Sequence, residues 1–413
     1  MKLDIQRRID RVAGTLICWI FSLFSRVQRD FVAEIKPQKL LVILLSEMGS
    51  LVLARPMFEH IKAKYPESSI YVLLLEQNRE MLELVDVVPS NNIFTVSNAS
   101  FAGLLTSSIL ELIRLRRIQI DTVIDCELFS RISSIYSFLS GAKIRVGFHP
   151  HTQEGLFRGD FINRPVVYNP YHHISQQFIT LVEAIESEKV PTAKRNVAFD
   201  NLKVAPMKVS QEEIENLLER FREDFPKIRG QKLVLVYAGG GLLPIRAWPL
   251  EYFCQICDDL CRNGYAIGIT GLEEDKKIAN QIVSYCQSDR CVNLAGYTLS
   301  IRELIIMFYV ASLLITNDGG PGHFAAMTPI PTIIFYGPET PVLYGPLSPN
   351  SYNFHVPLSC SPCLTAYNHR NSPCDGNNVC LKSISPQQVL EKAYEMLEKK
   401  ESGLFAHAIV DFD

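Results

Sequence analysis

The sequence lacks any strong excess of charge. A formal net charge of −3 over 413 residues supplies no basic stripe to neutralise a phosphate backbone, so nucleic acid is excluded as a partner class. It also lacks an apolar run long enough to cross a bilayer, which takes about 20 residues. The strongest candidate, VAGTLICWIFSLF at 12–24, falls short of that length. No small-residue cleavage site follows it, since SRVQRD is bulky and basic, and so it does not read as a secretory signal. There is no G-x-x-x-x-G-K-[ST] motif, which excludes a P-loop nucleotide hydrolase. No G-x-G-x-x-G follows the first predicted strand, which argues against a dinucleotide-dependent dehydrogenase.

The composition that is present, 47% hydrophobic and 21% charged, is globular, and the length supports two or three domains. Eleven cysteines are an odd number, and Cys126, Cys254, Cys257 and Cys261 lie within apolar patterns. Without a leader, these predict buried free thiols in a reducing compartment. The apolar stretch at 12–24 is followed by Arg26, Arg29 and Lys36. That pattern predicts an amphipathic helix lying in the plane of a membrane surface; a helix packed on the protein itself, or against a second subunit, has the same pattern.

Along the chain, apolar runs at 39–45, 70–75, 122–125 and 145–147 read as buried strands, with helical patterns at 51–65, 101–117 and 131–139 between them. Pro56 is a local irregularity in the first of these helices. The polar, aromatic stretch 149–171 holds His149, His151, Asp160 and Arg164; His172 and His173 then open a helix reaching about Glu186. A second alternation begins at Lys232, with strands at 233–237, 266–270, 313–316 and 332–335. Alternating βα units with apolar strands imply parallel sheets covered on both faces. The reading is an N-terminal amphipathic segment (1–36), a first α/β domain (37–190), a link (191–210), a second α/β domain (211–384) with a cysteine loop at 360–380, and a C-terminal helix and tail (385–413).

In doubly wound sheets, ligands bind beyond the carboxyl ends of the strands. Four loops qualify: 46–50, 239–246, 271–274 and 318–323. In the last, Asp318 follows a strand, Gly319, Gly320 and Gly322 form a glycine loop, and His323 begins helix-compatible sequence. Bare N–H groups at a helix start favour an anion, Asp318 is suited to hydroxyls and His323 to a phosphate oxygen. An ordinary tight turn with a core histidine has the same pattern. Gly240 and Arg246 suit phosphates, and a carboxylate of these loops suits ribose hydroxyls. In the first loop, with Gly49 and Ser50, Glu47 is a candidate general base or a helix cap. His172 is a candidate for a phosphate or an acceptor sugar, or a structural helix-start residue. Cys360, Cys363, Cys374 and Cys380, spaced C-x2-C-x10-C-x5-C, are candidate ligands for a structural zinc, or free thiols, or disulfides.

SEMGSLVLARP at 46–56, the 239–249 loop ending Arg-Ala-Trp-Pro, Gly-Leu-Glu-Glu at 271–274 and Asn-Asp-Gly-Gly-Pro-Gly-His-Phe-Ala-Ala at 317–326 with the later Tyr-Gly-Pro resemble glycosyltransferase family 9. That is the bacterial lipopolysaccharide heptosyltransferase family. The resemblance runs from about Lys39 to the C-terminal helix. It implies a GT-B fold, two Rossmann-like doubly wound domains facing a cleft. It implies metal-independent, inverting transfer from a nucleotide-diphosphate sugar to a lipid-linked or core-oligosaccharide acceptor, on the cytoplasmic face of the inner membrane. By the same resemblance, Asp318, Gly319, Gly320 and His323 bind the diphosphate, and Arg246 stands where the family has a phosphate-binding lysine. Glu273 or Glu274 lies near the ribose. The chain departs from the family at Gly49-Ser50, where the family has Gly-Asp and the aspartate is the base. Either Glu47 takes that role, or the protein is a catalytically weak GT-B-shaped binding protein. A GT-B-shaped epimerase is a third reading that no residue selects.

Overall fold

The computed structural model describes residues 8–27, 36–45, 47–128, 130–149, 157–187, 202–241, 243–365, 372, 374–375 and 377–401. Ser46, Arg29, His151, Leu242, His369, most of the 191–210 link and the tail after 401 lie outside them. The chain divides into two compact units between Leu202 and Lys203.

The first unit is a six-stranded parallel sheet: β1 (Lys39–Ile43), β2 (Ser69–Leu75), β3 (Ile93–Val96), β4 (Thr122–Asp125), β5 (Ile144–Phe148) and β6 (Arg164–Val166). Their order is β3-β2-β1-β4-β5-β6. The second unit repeats the plan with β7 (Leu233–Tyr237), β8 (Ala266–Gly271), β9 (Cys291–Ala295), β10 (Leu313–Asn317), β11 (Thr332–Tyr336) and β12 (Ser351–His355). Its order is β12-β11-β10-β7-β8-β9. Read from its own first strand, each sheet has the order 3-2-1-4-5-6, the doubly wound arrangement. The crevice for a ligand in that arrangement lies where the order reverses, between β1 and β4 or between β7 and β10. Strands β7, β10 and β11 are buried along their whole length, as central parallel strands must be. Around them pack Trp248, Phe253, Phe335 and, from the helix Pro386–Glu401, Val389, Ala393 and Leu397. The C-terminal helix thus shares the second unit's core.

Several elements differ from the sequence reading. The segment read as a loop through Ser50 turns helical at Met48, so Gly49 and Ser50 stand in the first turn of Met48–Leu53. A second helix, Arg55–Lys64, starts at once and carries Pro56 near its first position, where no backbone donor is lost. Strands β3, β6, β9 and β12 and the helix Arg79–Val85 went unread, because their apolar runs are short or interrupted by polar residues. β10 runs one residue beyond the expected strand, to Asn317.

The apolar N-terminal segment forms the helix Thr15–Val27. It packs on the first unit: Cys18 is fully buried, and Phe21 stacks on Phe138 at 4.7 Å. Asp10, just before it, accepts hydrogen bonds from the N–H groups of Arg131 and Ile132, both 2.9 Å, and so caps the helix Arg131–Leu139. The other face leaves Val12, Leu16, Trp19, Leu23 and Phe24 exposed.

Candidate active site

The second unit's site is built around a tight loop after β7. A Cβ on Gly240 would lie 2.7 Å from Pro244 Cα, so only glycine lets the chain fold back here. The single turn Pro244–Arg246 follows. Asn317, fully buried, fixes the result. Its Oδ1 accepts from the Trp248 N–H at 2.9 Å, and its Nδ2 donates to the carbonyls of Ala238 and Gly239 at 3.1 and 2.9 Å. Trp248 is held in turn by stacking on Phe335 at 4.5 Å and by its indole N–H donating to the Ile384 carbonyl at 3.0 Å. The backbone on both sides of Arg246 is therefore tied to the sheet.

Arg246 reaches back to the carboxyl edge. Its Nη2 donates to Glu339 Oε1 at 2.7 Å, and its Nε lies 3.4 Å from Asp318 Oδ2. Both carboxylates are nearly inaccessible, and His323 beside them is 8% exposed with its Nδ1 without a hydrogen-bond partner among the described residues. Burial opposes charge on every member. It pushes Asp318 up, with Arg246 pulling the other way. Burial likewise pushes Glu339 up to about 7, with Arg246 lowering it and Asp318 raising it. His323 is pushed down to about 4 by burial and by Arg246, so it is neutral at pH 7 and carries one N–H. Burial works against the Arg246 charge too, but the two carboxylates outweigh it and raise its pKa. The outcome is a permanent cation flanked by two acids, one of which titrates near neutrality.

Of the expected residues, Asp318, His323, Arg246 and Gly240 come together here. Asp318 is buried and forms a 3.4 Å ion pair with Arg246. The glycines divide in role. A Cβ on Gly322 would meet Ile334 Cδ1 at 2.9 Å and one on Gly320 the Phe324 ring at 3.0 Å, whereas Gly319 has nothing nearer than 4.0 Å. Gly322 thus lets the helix Gly320–Ala325 sit close on β11, while the space beside the Gly319 Cα is open. That helix has only six residues, so anion attraction there rests on local N–H groups and not on a long dipole. Glu273 and Glu274, in a turn after β8, are exposed, and Glu273 pairs with Lys276 at 2.7 Å. The inner acid is Asp275. Its Oδ2 accepts from the Leu272 N–H at 2.9 Å, and its carboxylate fills the space beside Gly239 and Gly271. Sequence reasoning missed Glu339 and Asp275. Glu339 follows Tyr-Gly-Pro three residues past the end of β11, whereas Asp318 directly follows β10.

In the first unit, Glu47 stands extended just before Met48–Leu53, partly exposed, and its side chain makes no capping hydrogen bond. The strand end leading to it is pinned. The Leu45 N–H donates to Glu127 Oε1 at 2.6 Å, and Asn78 Nδ2 donates to the Leu45 carbonyl at 2.6 Å. Gly49 and Ser50 point into a helical turn, where the Ser50 N–H donates to the Glu47 carbonyl at 3.1 Å. His173 Nδ1 accepts from the Ser175 N–H at 3.2 Å and serves as the cap of Ile174–Glu183. His172 beside it is half-buried. A buried pair, Arg158 on Asp125, braces the end of β4, with Ser133 bonded to both.

Of the four loop cysteines, Cys360, Cys363 and Cys374 all lie near enough to Cys380 to act on its charge. Cys360 and Cys374 are exposed, Cys363 Sγ lies 3.1 Å from Ser372 Oγ, and Cys380 is buried. No three of these sulfurs lie within 4.8 Å of one another.

Two doubly wound units of this order, the second carrying a buried guanidinium at its switch point, make this a GT-B protein. The chain belongs to glycosyltransferase family 9 (heptosyltransferase), whose model matches residues 111–372. It is 25% identical over 317 residues to lipooligosaccharide heptosyltransferase 2 of Haemophilus ducreyi, covering 75% of this chain and 86% of that one. It is 26% identical over 182 residues to lipopolysaccharide heptosyltransferase 2 of Salmonella typhimurium, 43% of this chain and 50% of that one, so this match spans about half of the relative's length. Among solved structures, E. coli ADP-heptose lipopolysaccharide heptosyltransferase II superposes with a TM-score of 0.69 at 22% identity, covering 88% of this chain and all of that one.

Proposed function

We propose that the protein is an inverting glycosyltransferase that moves a sugar from a nucleotide diphosphate to a lipid-linked or core-oligosaccharide acceptor in lipopolysaccharide-like envelope synthesis. The observation carrying this reading is Arg246, a buried cation held at the β7/β10 switch point by Asp318 and Glu339. A buried cation that already has carboxylate partners is a costly construction. It is worth keeping where an anion develops during reaction. In the proposed step, the acceptor oxygen bonds to the anomeric carbon as the bond from that carbon to the diphosphate oxygen breaks. The acceptor proton passes to Glu47, and the leaving diphosphate is met by Arg246, by the N–H groups at Gly319 and Gly320, and by the neutral His323 N–H. Glu273 or Glu274 serves the ribose, and His172 the acceptor side.

The relatives are named for heptose transfer and the solved neighbour for ADP-heptose, so ADP-heptose is the first donor to assay, beside GDP-, UDP- and CDP-linked sugars. Glu47→Gln is expected to lower turnover by at least about 100-fold with donor affinity unchanged in calorimetry. Unchanged turnover would remove Glu47 from the mechanism and leave the binding-protein reading.

We also propose that the enzyme works at the inner, cytoplasmic membrane surface. What supports this is the outward apolar face of Thr15–Val27. A second such face lies on Phe101–Ile118, where Phe101, Leu105, Ile109 and Ile113 are exposed. Both helices flank Arg131–Leu139, the first through Phe21 on Phe138 and the second through Ser108 Oγ at 2.6 Å from the Tyr136 hydroxyl.

A further inference from the structure

Five of the eleven cysteines lie in one region of the second unit's core: Cys254, Cys257, Cys261, Cys286 and Cys291. Three of them converge from three separate elements. Cys261 is near the end of the helix Leu250–Arg262, Cys286 is the last residue of Lys276–Cys286, and Cys291 is the first of β9. Their sulfurs all lie within 4.8 Å of one another, and all three residues are buried. Between the last two, Gln287 adopts a left-handed backbone with φ of 45°, a conformation that costs a side-chain-bearing residue energy. That turn carries the chain from Cys286 back to Cys291 so that both face Cys261. Arg290, inside the same turn, donates from Nη1 to the Cys261 carbonyl at 3.1 Å and sets a cation beside the cluster.

A buried cysteine alone is a small hydrophobe, and one thiol in a core needs no further account. Three sulfurs brought together by a strained turn do. Tetrahedral thiolate coordination at about 2.3 Å from a zinc ion places sulfurs about 3.8 Å apart, inside the observed bound. No disulfide joins any of them. Soft thiolates without a carboxylate among them select zinc or another thiophilic ion over magnesium, calcium or manganese. We infer that Cys261, Cys286 and Cys291 form a structural site for a thiophilic metal ion. Cys291 opens β9, so the site lies at the amino edge of the sheet, away from the carboxyl edge where Arg246 stands. Its role is to join two helix ends to an edge strand, and the transfer reaction does not pass through it.

The test uses the full chain purified under reductant, loaded with zinc and freed of loosely bound metal. Metal is counted by mass spectrometry in wild type, in Cys286→Ser/Cys291→Ser and in Cys360→Ser/Cys363→Ser. The first double variant is expected to carry one zinc per chain fewer than wild type, and the loop variant to keep that ion. Equal zinc in wild type and the core variant overturns the proposal, as does a disulfide between any two of the three in the unalkylated wild-type protein. Should the core variant fail to fold, cobalt substitution of the loop variant decides. Intense thiolate-to-cobalt charge-transfer absorption at one equivalent supports the site, and its absence overturns it.

Discussion

At the scale of single residues, Arg246 is where charge and burial are most directly opposed. Removing it leaves Asp318 and Glu339 facing each other without a cation. Charge-assisted hydrogen bonds contribute about 1.5–3 kcal/mol each, so Arg246→Ala is expected to weaken binding of the nucleotide diphosphate by about 10- to 150-fold in calorimetry. Unchanged affinity would move the diphosphate elsewhere. Glu339 adds a pH dependence whose sign can be worked out. Its carboxyl sits at about 7, well above the ordinary value. A dianionic diphosphate arriving beside it disfavours the carboxylate further, so binding takes up a proton and affinity rises as pH falls from 8 to 6. Calorimetry in two buffers of different ionisation enthalpy counts that proton. Glu339→Gln should flatten the pH profile and tighten binding at pH 8; a slope that survives the substitution would assign the proton to another group. Asp318 and Arg246 were open to sequence reasoning because each follows a strand within a glycine-bearing loop. Their mutual pairing was not, because nothing in local spacing says that residues 72 positions apart form an ion pair.

At the scale of elements, the strands and long helices follow from periodicity. The uninterrupted apolar runs at β1, β7, β10 and β11 state their double-sided burial directly. The pattern fails where tertiary context decides. β9 carries Asn293 in the middle of its apolar run, and its place at an edge is visible only once β8 is beside it. The 46–50 segment reads as a loop because of glycine and serine, yet packing of Leu51, Val52 and Leu53 in the core pulls the helix start back to Met48. Asn317 shows the same dependence: its place at a strand end is legible, but not that it closes β10 onto the β7 loop through three buried hydrogen bonds. Asn317→Ala leaves the Trp248 N–H and two carbonyls unpaired, a loss of about 2–4 kcal/mol at roughly 1 kcal/mol per bond plus the cost of unmet buried groups. The expected result is a clearly lowered thermal midpoint together with weakened donor binding, since the loop that orients Arg246 is freed. A midpoint within a degree of wild type would mean that another contact holds the loop.

At the scale of the whole molecule, membrane contact depends on how much apolar surface the first unit still offers. Val12, Leu16, Trp19, Leu23 and Phe24 are each 44–69% exposed. Burying the remaining half of such side chains is worth about 1 kcal/mol apiece, or roughly 5 kcal/mol together. That is near the affinity of a single acyl chain, which is marginal and reversible. The outward face of Phe101–Ile118 adds a comparable amount, and exposed Arg8 and Arg11 add attraction to anionic lipid. The two faces together should give stable but peripheral binding, and neither alone should suffice. No helix among the described residues is long and apolar enough to cross a bilayer. Trp19→Glu/Phe24→Glu should therefore remove most of the protein from floated vesicles containing anionic lipid while leaving transfer to a soluble acceptor fragment intact. Leu105→Glu/Ile109→Glu should do the same independently. Should only the first pair matter, the second helix faces water and the contact is a single-helix anchor; should neither matter, the exposed faces serve contacts between proteins, and sedimentation of the wild type against both variants would show the lost assembly.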